Sequence, residues 1–302
     1  YVLGAAVSSL ITTLHFFKVY FLPIQSVQNQ FFNPAGSVLQ ELIYLIPAFV
    51  FSFLYIGGRV GFPKIKLDKS LWTAYGFFVQ LAALLAVAAG VVVTSYQMIF
   101  LPNKPILLPY IYGFQTAFAS ISQDASRFVQ SLLFGSGYGT FLIDFTRYKL
   151  PSFNLEQNIW NLSFAFSSSY FLELIATTGI LGILAFVGII YSFIKSRSTK
   201  NPIFVSVFVA FVLSFILPFS YLSAASLFIL LGLYIAHLNI SRVESVFDVT
   251  LSLVSTKSGL ISFEPTESGS LTKQSPILPA FIMIIVLLVV GFVGFYGFKF
   301  AI

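Results

Sequence analysis

The chain contains no cysteine, so disulfides and thiolate chemistry are excluded. It has only two histidines, His15 and His237, far apart in the sequence. A zinc site built from His and Cys has nothing to be made from, and no metal is expected. Charge is scarce: 9% of residues are Asp, Glu, Lys or Arg, where a soluble domain carries about a quarter. That shortage excludes an ordinary soluble fold. The net charge of +6 is not a nucleic-acid footprint, because the positive residues fall in short loops between apolar runs. No charged leader or cleavage site precedes the first apolar run, which already holds Tyr1; further helices are expected upstream.

What the chain does contain is apolar surface. It is 58% hydrophobic, and Phe alone occurs 37 times, a composition suited to lipid-facing helices and interfacial belts. In lipid every backbone polar group must be satisfied within the segment, so the expected class is an all-α polytopic membrane protein. Seven stretches approach the roughly 20 residues that cross a bilayer. They lie near 2–22, 37–57, 72–96, 169–194, 202–219, 221–237 and 277–299, with the fifth and sixth meeting at Pro218-Phe219-Ser220-Tyr221 as a hairpin or a kinked pair. The implied organisation is three helices over 1–96, a large loop over 97–168, three helices over 169–237, a connector over 238–276 and a last helix over 277–302.

Positive charge sets the expected sidedness. Arg59, Lys64, Lys66 and Lys69 follow the second span; Lys195, Arg197 and Lys200 follow the fourth. Both clusters belong on the cytoplasmic side, which turns 97–168 outward and 238–276 inward. The third span carries Leu81-Ala82-Ala83-Leu84-Leu85-Ala86-Val87-Ala88-Ala89-Gly90, whose small residues allow close helix approach and predict a place inside the bundle. A plain low-complexity apolar helix would read the same way. The Ser-rich connector predicts a flexible segment, with a short surface helix near Val243–Val254.

The loop is where the chemistry would lie. Ile106 to Ala119 is apolar but broken by Pro109 and Gly113, which predicts a re-entrant or interfacial segment. A polar stretch from Ser120 to Gln130 follows, then Phe134-Gly135-Ser136-Gly137-Tyr138-Gly139-Thr140-Phe141. Such a run is a dinucleotide loop only between a strand and a helix on the cytoplasmic side, and neither condition is met. It is otherwise a tight turn, or a place where backbone amides approach an anion. Arg147 and Lys149, just beyond, favour the anion. The Arg147 guanidinium offers a planar fork suited to pyrophosphate, while snorkelling to headgroups is the plainer role. Arg127 and Lys18 are weaker candidates of the same kind. Glu173, about one turn inside the fourth span, is a candidate general base or a partner for a loop arginine. Asp124, Asp144 and Glu156 show no metal-binding spacing and read as solvated loop residues.

Two segments then carry a resemblance. Leu133-Phe134-Gly135-Ser136-Gly137-Tyr138-Gly139-Thr140-Phe141 precedes Ser168-Ser169-Tyr170-Phe171-Leu172-Glu173-Leu174-Ile175-Ala176-Thr177-Thr178-Gly179-Ile180-Leu181-Gly182. In this order they resemble the O-antigen ligase and O-antigen polymerase family of bacterial membrane glycosyltransferases, mainly over 110–195. The resemblance implies a type C glycosyltransferase architecture in the cytoplasmic membrane. The donor would be an undecaprenyl-pyrophosphate-linked glycan, the acceptor a lipid, glycan or protein hydroxyl, and no cofactor would be needed. It implies that Arg147, Arg127, Lys149 and Lys18, with the turn at Gly135, Gly137 and Gly139, meet the pyrophosphate. Counting back from Gly179, the family's His and Asn fall on Ser168 and Ser169, and its Glu on Thr177. Glu173, Ser168 and Ser169 are therefore the catalytic candidates. A transporter or flippase is the alternative, although no internal repeat is visible. A catalytically silent anchor is another, favoured by the serine at 168.

Overall fold

The computed structural model describes residues 1–20, 27–61, 71–100, 105–123, 128–156, 159–196, 201–240, 249–252 and 262–265. The chain forms two compact units, Tyr1–Ala236 and His237–Ile302. The described elements of the first are all helical: α1 (Val2–Phe16), α2 (Val38–Gly61), α3 (Leu71–Phe100), α4 (Tyr110–Ser122), α5 (Phe128–Phe134), α6 (Phe141–Tyr148), a 3₁₀ turn at Pro151–Leu155, α7 (Tyr170–Lys195), α8 (Pro202–Ile216) and α9 (Tyr221–Ile240). Among the described residues, four stretches are long and apolar enough to cross a membrane: Val38–Gly57, Gly76–Phe100, Tyr170–Lys195 and Tyr221–Leu238. The expected span at 277–299 lies outside the described residues, as do Lys64, Lys66, Lys69, Arg197 and Lys200.

Two expected spans close early. α1 and α8 have 15 residues each, about 22 Å of helix against a hydrocarbon layer of roughly 30 Å. α8 stops because Leu217 precedes Pro218; proline clashes with an α-helical neighbour, and Leu217 is extended at φ −121°, ψ 151°. α1 stops in a C-terminal capping turn: the Lys18 amide donates to His15 O (2.9 Å) and the Val19 amide to Leu14 O (2.9 Å). Lys18 takes the left-handed conformation there, φ 61°, in a position that glycine usually fills.

α3 packs its stripe Ala83, Val87, Gly90, Thr94 and Gln97 inward, the spacing of one helix face. Its small residues do bring helices close, since a Cβ on Gly90 would lie 2.7 Å from Ser9 Cβ of α1. The helix is nonetheless not interior: 22% of its spanning window is buried among the described residues. Bulky Leu85, Val92 and Ile99 occupy the opposite, exposed face.

α2 joins this group to α8, and α8 joins α7. At one end of the unit, Gln40 near the start of α2 donates to Pro218 O (3.0 Å) and accepts from the Ser220 amide (2.9 Å) and Ser223 Oγ (2.6 Å). The Tyr170 amide at the start of α7 donates to Leu217 O (3.0 Å), and the Tyr110 hydroxyl at the start of α4 donates to Ile216 O. α9 runs back from the Pro218 turn and brings Tyr234 into ring contact with Phe204 (centroids 5.8 Å). The inserted elements α4–α6 have their own apolar core, where Phe141, Phe145, Phe153 and Phe164 pack with Leu172 and Ile175 of α7. α4 is helical beyond Pro109, burying Gly113, Thr116, Ala117 and Ser120 and exposing Ile111, Phe114 and Phe118.

In the second unit, Val249–Ser252 (β1) pairs antiparallel with Ser262–Pro265 (β2), Val249 opposite Pro265 and Ser252 opposite Ser262. A surface helix over Val243–Val254 is therefore not formed at 249–252. β-Branched Val249 and Thr250 suit the extended strand instead.

Candidate functional site

The glycine turn and the start of α7, read from sequence as separate motifs, interlock. α7 breaks at Gly179, whose φ 63°, ψ −161° no helix can contain. In an unbroken helix the carbonyls of Ala176 and Thr177 would accept from residues four further on. Here Ala176 O accepts from the Ser136 amide (3.0 Å) and Thr177 O from the Gly137 amide (2.9 Å). The approach is backbone to backbone. A Cβ on Gly135 would lie 2.5 Å from Thr177 C, and one on Gly179 would lie 2.6 Å from Gly135 N. Both residues have positive φ as well, at 68° and 63°, which side chains resist. The Gly135 amide donates to Ser131 O (2.8 Å). All three amides are thus engaged by protein carbonyls, and an anion beside this turn would meet side chains in their place.

Those side chains begin with Ser136, which donates to Asp144 on α6 and lies 2.6 Å from Thr140 Oγ1. Asp144 is not a solvated loop residue: it is 5% exposed. Burial raises its pKa above the ordinary aspartate value, opposed by hydrogen bonds from Ser136 and Thr140 and by the Arg147 charge. The misreading had a visible remedy. Phe141, Asp144 and Phe145 sit at i, i+3 and i+4, one face of a helix whose other residues are polar or exposed. Arg147 lies one turn beyond Asp144 and is exposed. Lys149 is half-buried, with Nζ 5.6 Å from the centre of the Phe153 ring.

Glu173 stands in the first turn of α7 and is 5% exposed. The Ser167 amide hydrogen-bonds its carboxyl group, while Oε2 has no hydrogen-bond partner among the described residues. Tyr138 of the glycine turn sits near Glu173 and Tyr221; partial burial and then those two groups raise its hydroxyl pKa. Its ring lies 5.5 Å from that of Tyr221. Ser168 and Ser169 are adjacent but structurally committed. Ser168 Oγ donates to Pro109 O (3.1 Å), joining α4 to α7. Ser169 is the N-cap of α7, its hydroxyl accepting from the Leu172 amide (3.3 Å).

The structure therefore gathers Gly135, Gly137, Gly139, Ser168, Ser169 and Glu173 around the first turns of α7, with Arg147 on the neighbouring α6 and Lys149 just past its end. Lys18 stands apart, at the end of α1 that packs on α2 and α3. Arg127 and Asp124 lie outside the described residues. Glu41 was not singled out by sequence reasoning, yet it is fully buried in α2 and accepts from Ser8 Oγ (2.7 Å). A lone acid near the start of an apolar span was the available signal. Among the described residues, no group of three or more His, Asp and Glu side chains converges as metal ligands would.

No protein-family model matches the chain, and no curated protein or solved structure matches it significantly.

Proposed function

We propose that the chain is a membrane glycosyltransferase of the O-antigen ligase and polymerase type, with about seven spans and residues 97–168 as a loop on the extracytoplasmic side of a bacterial cytoplasmic membrane. The observation that carries this reading is the docking of the glycine turn onto the break in α7. The two segments that bear the resemblance are joined there, beside a buried carboxylate with an unpaired oxygen. A carboxylate at that depth is costly unless it serves a polar site.

In this reading the donor is an undecaprenyl-pyrophosphate glycan. Glu173 accepts the proton of the acceptor hydroxyl as its oxygen attacks the anomeric carbon. The bond from that carbon to the pyrophosphate oxygen breaks, the configuration inverts, and undecaprenyl pyrophosphate leaves with its charge met by Arg147. Holding donor and acceptor side by side supplies much of the acceleration by orientation alone. The hydroxyls of Ser168 and Ser169 hold α4 and α7 in place around Glu173.

The test uses the full-length protein in nanodiscs with an undecaprenyl-pyrophosphate oligosaccharide. Wild type is expected to bind the lipid and release undecaprenyl pyrophosphate. Arg147→Ala should weaken binding, and Glu173→Gln should retain binding while losing release. Binding without release by wild type would identify a silent relative. No binding by wild type would overturn the reading.

A further inference from the structure

A cleft of about 600 Å³ opens beside α6, within the roughly 300–1,000 Å³ typical of small-ligand sites. Its lining combines apolar Phe145 and Leu162 with Asn154, Asn161, Lys149 and Trp160. Trp160 is 53% exposed while lining the cleft. From this geometry we infer that the cleft is a binding site for a sugar ring, a pyranose that stacks its C–H face on Trp160.

Each lining group argues for that chemistry over others. An indole is a rigid apolar platform with a single N–H, matched to one flat apolar face of a ligand. Asn154 and Asn161 each present two donors and an acceptor, the pairing that hydroxyl groups need because they both donate and accept. A lipid tail offers those amides no hydrogen-bond partner. Among the described lining residues a polyphosphate would find one cation, Lys149, instead of the cluster such ligands call for. Lys149 Nζ is steered by the Phe153 ring at 5.6 Å, which suits a single carboxylate on the sugar. The cleft stands on its own geometry and does not require Glu173 to be catalytic; it adds a glycan subsite to the proposed function.

The experiment is ligand-observed saturation-transfer NMR on the full chain in nanodiscs. The probes are the methyl glycosides of glucose, galactose, N-acetylglucosamine and glucuronic acid. At least one glycoside should show saturable transfer concentrated on one ring face, with the glucuronide the strongest binder. Trp160→Ala and Asn161→Ala should each weaken binding by roughly tenfold, whereas Trp160→Phe should retain part of it. Thermal unfolding of each variant verifies that the fold is kept. In a Trp72→Phe background Trp160 is the sole indole, because the chain has two tryptophans; its emission should shift on adding the bound glycoside. No transfer from any of the four, or transfer unchanged in a folded Trp160→Ala, overturns the inference. Quenching of Trp160 by headgroup-labelled lipid with no sugar response does the same. Sugar binding that persists when undecaprenyl pyrophosphate is not released separates this site from the transferase reading.

Discussion

Gly135 and Gly179 occupy space that neither could share with a side chain. Each stands at positive φ, worth about 1–2 kcal/mol against alanine, and each has backbone atoms within 2.6 Å of where a Cβ would lie. Alanine at either position should lower the midpoint of thermal unfolding by roughly 5 °C or more. Gly188 supplies the contrast: it lies inside α7 with nothing within 4 Å of an added Cβ. Alanine there should hold or raise the midpoint, by about 0.5–1 kcal/mol of helix propensity. Thermal melts of the three variants in one detergent decide it, and equal melts would mean the turn is not docked as described. The sequence marked Gly135 as part of a turn, whereas Gly179 stood inside an expected continuous span. It could not show that they meet, since that depends on where α7 breaks. Asp144 is the converse: its helical spacing with Phe141 and Phe145 was legible, and the acidic side chain alone misled.

At the scale of elements, apolar length located α2, α3, α7 and α9 to within a few residues, because membrane thickness imposes it. The stop of α8 was written in Leu217-Pro218. The stop of α1 was not, because Lys18 fills a left-handed position that glycine would have advertised. The pairing of elements was also hidden, and Gln40 shows why. One amide in an apolar run links α2 to the α8–α9 turn through three hydrogen bonds, partners 178 to 183 residues away. Gln40→Leu keeps the volume and removes all three. It strands Pro218 O, the Ser220 amide and Ser223 Oγ, and should cost about 2–4 kcal/mol. Gln97→Leu gives up only one bond, to Gln30 O at 3.3 Å, and should cost clearly less. Chemical or thermal unfolding of the pair measures the difference. Equal losses would show that Gln40 is not the tie between these helices.

At the scale of the molecule, the first unit has two distinct ends. The starts of α2, α4 and α7 and the end of α8 are hydrogen-bonded together at one of them. α7 is 26 residues long and breaks at Gly179; by length and composition it can cross a membrane, with Tyr170 and Lys195 at its two ends. If α7 crosses the membrane, Leu155 in the inserted segment and Lys195 must therefore open to opposite aqueous phases. Positive-inside asymmetry predicts a cytoplasmic Lys195. The absence of cysteine makes the assignment directly measurable, since any single cysteine introduced is the only thiol in the chain. Leu155 is 82% exposed, so Leu155→Cys should react with a membrane-impermeant maleimide in intact cells. Lys195→Cys should react only after permeabilisation. Labelling of both from outside would remove α7 as a spanning helix. Labelling with the sides exchanged would turn the α4–α6 segment to the cytoplasm and overturn the proposed transfer at the outer face.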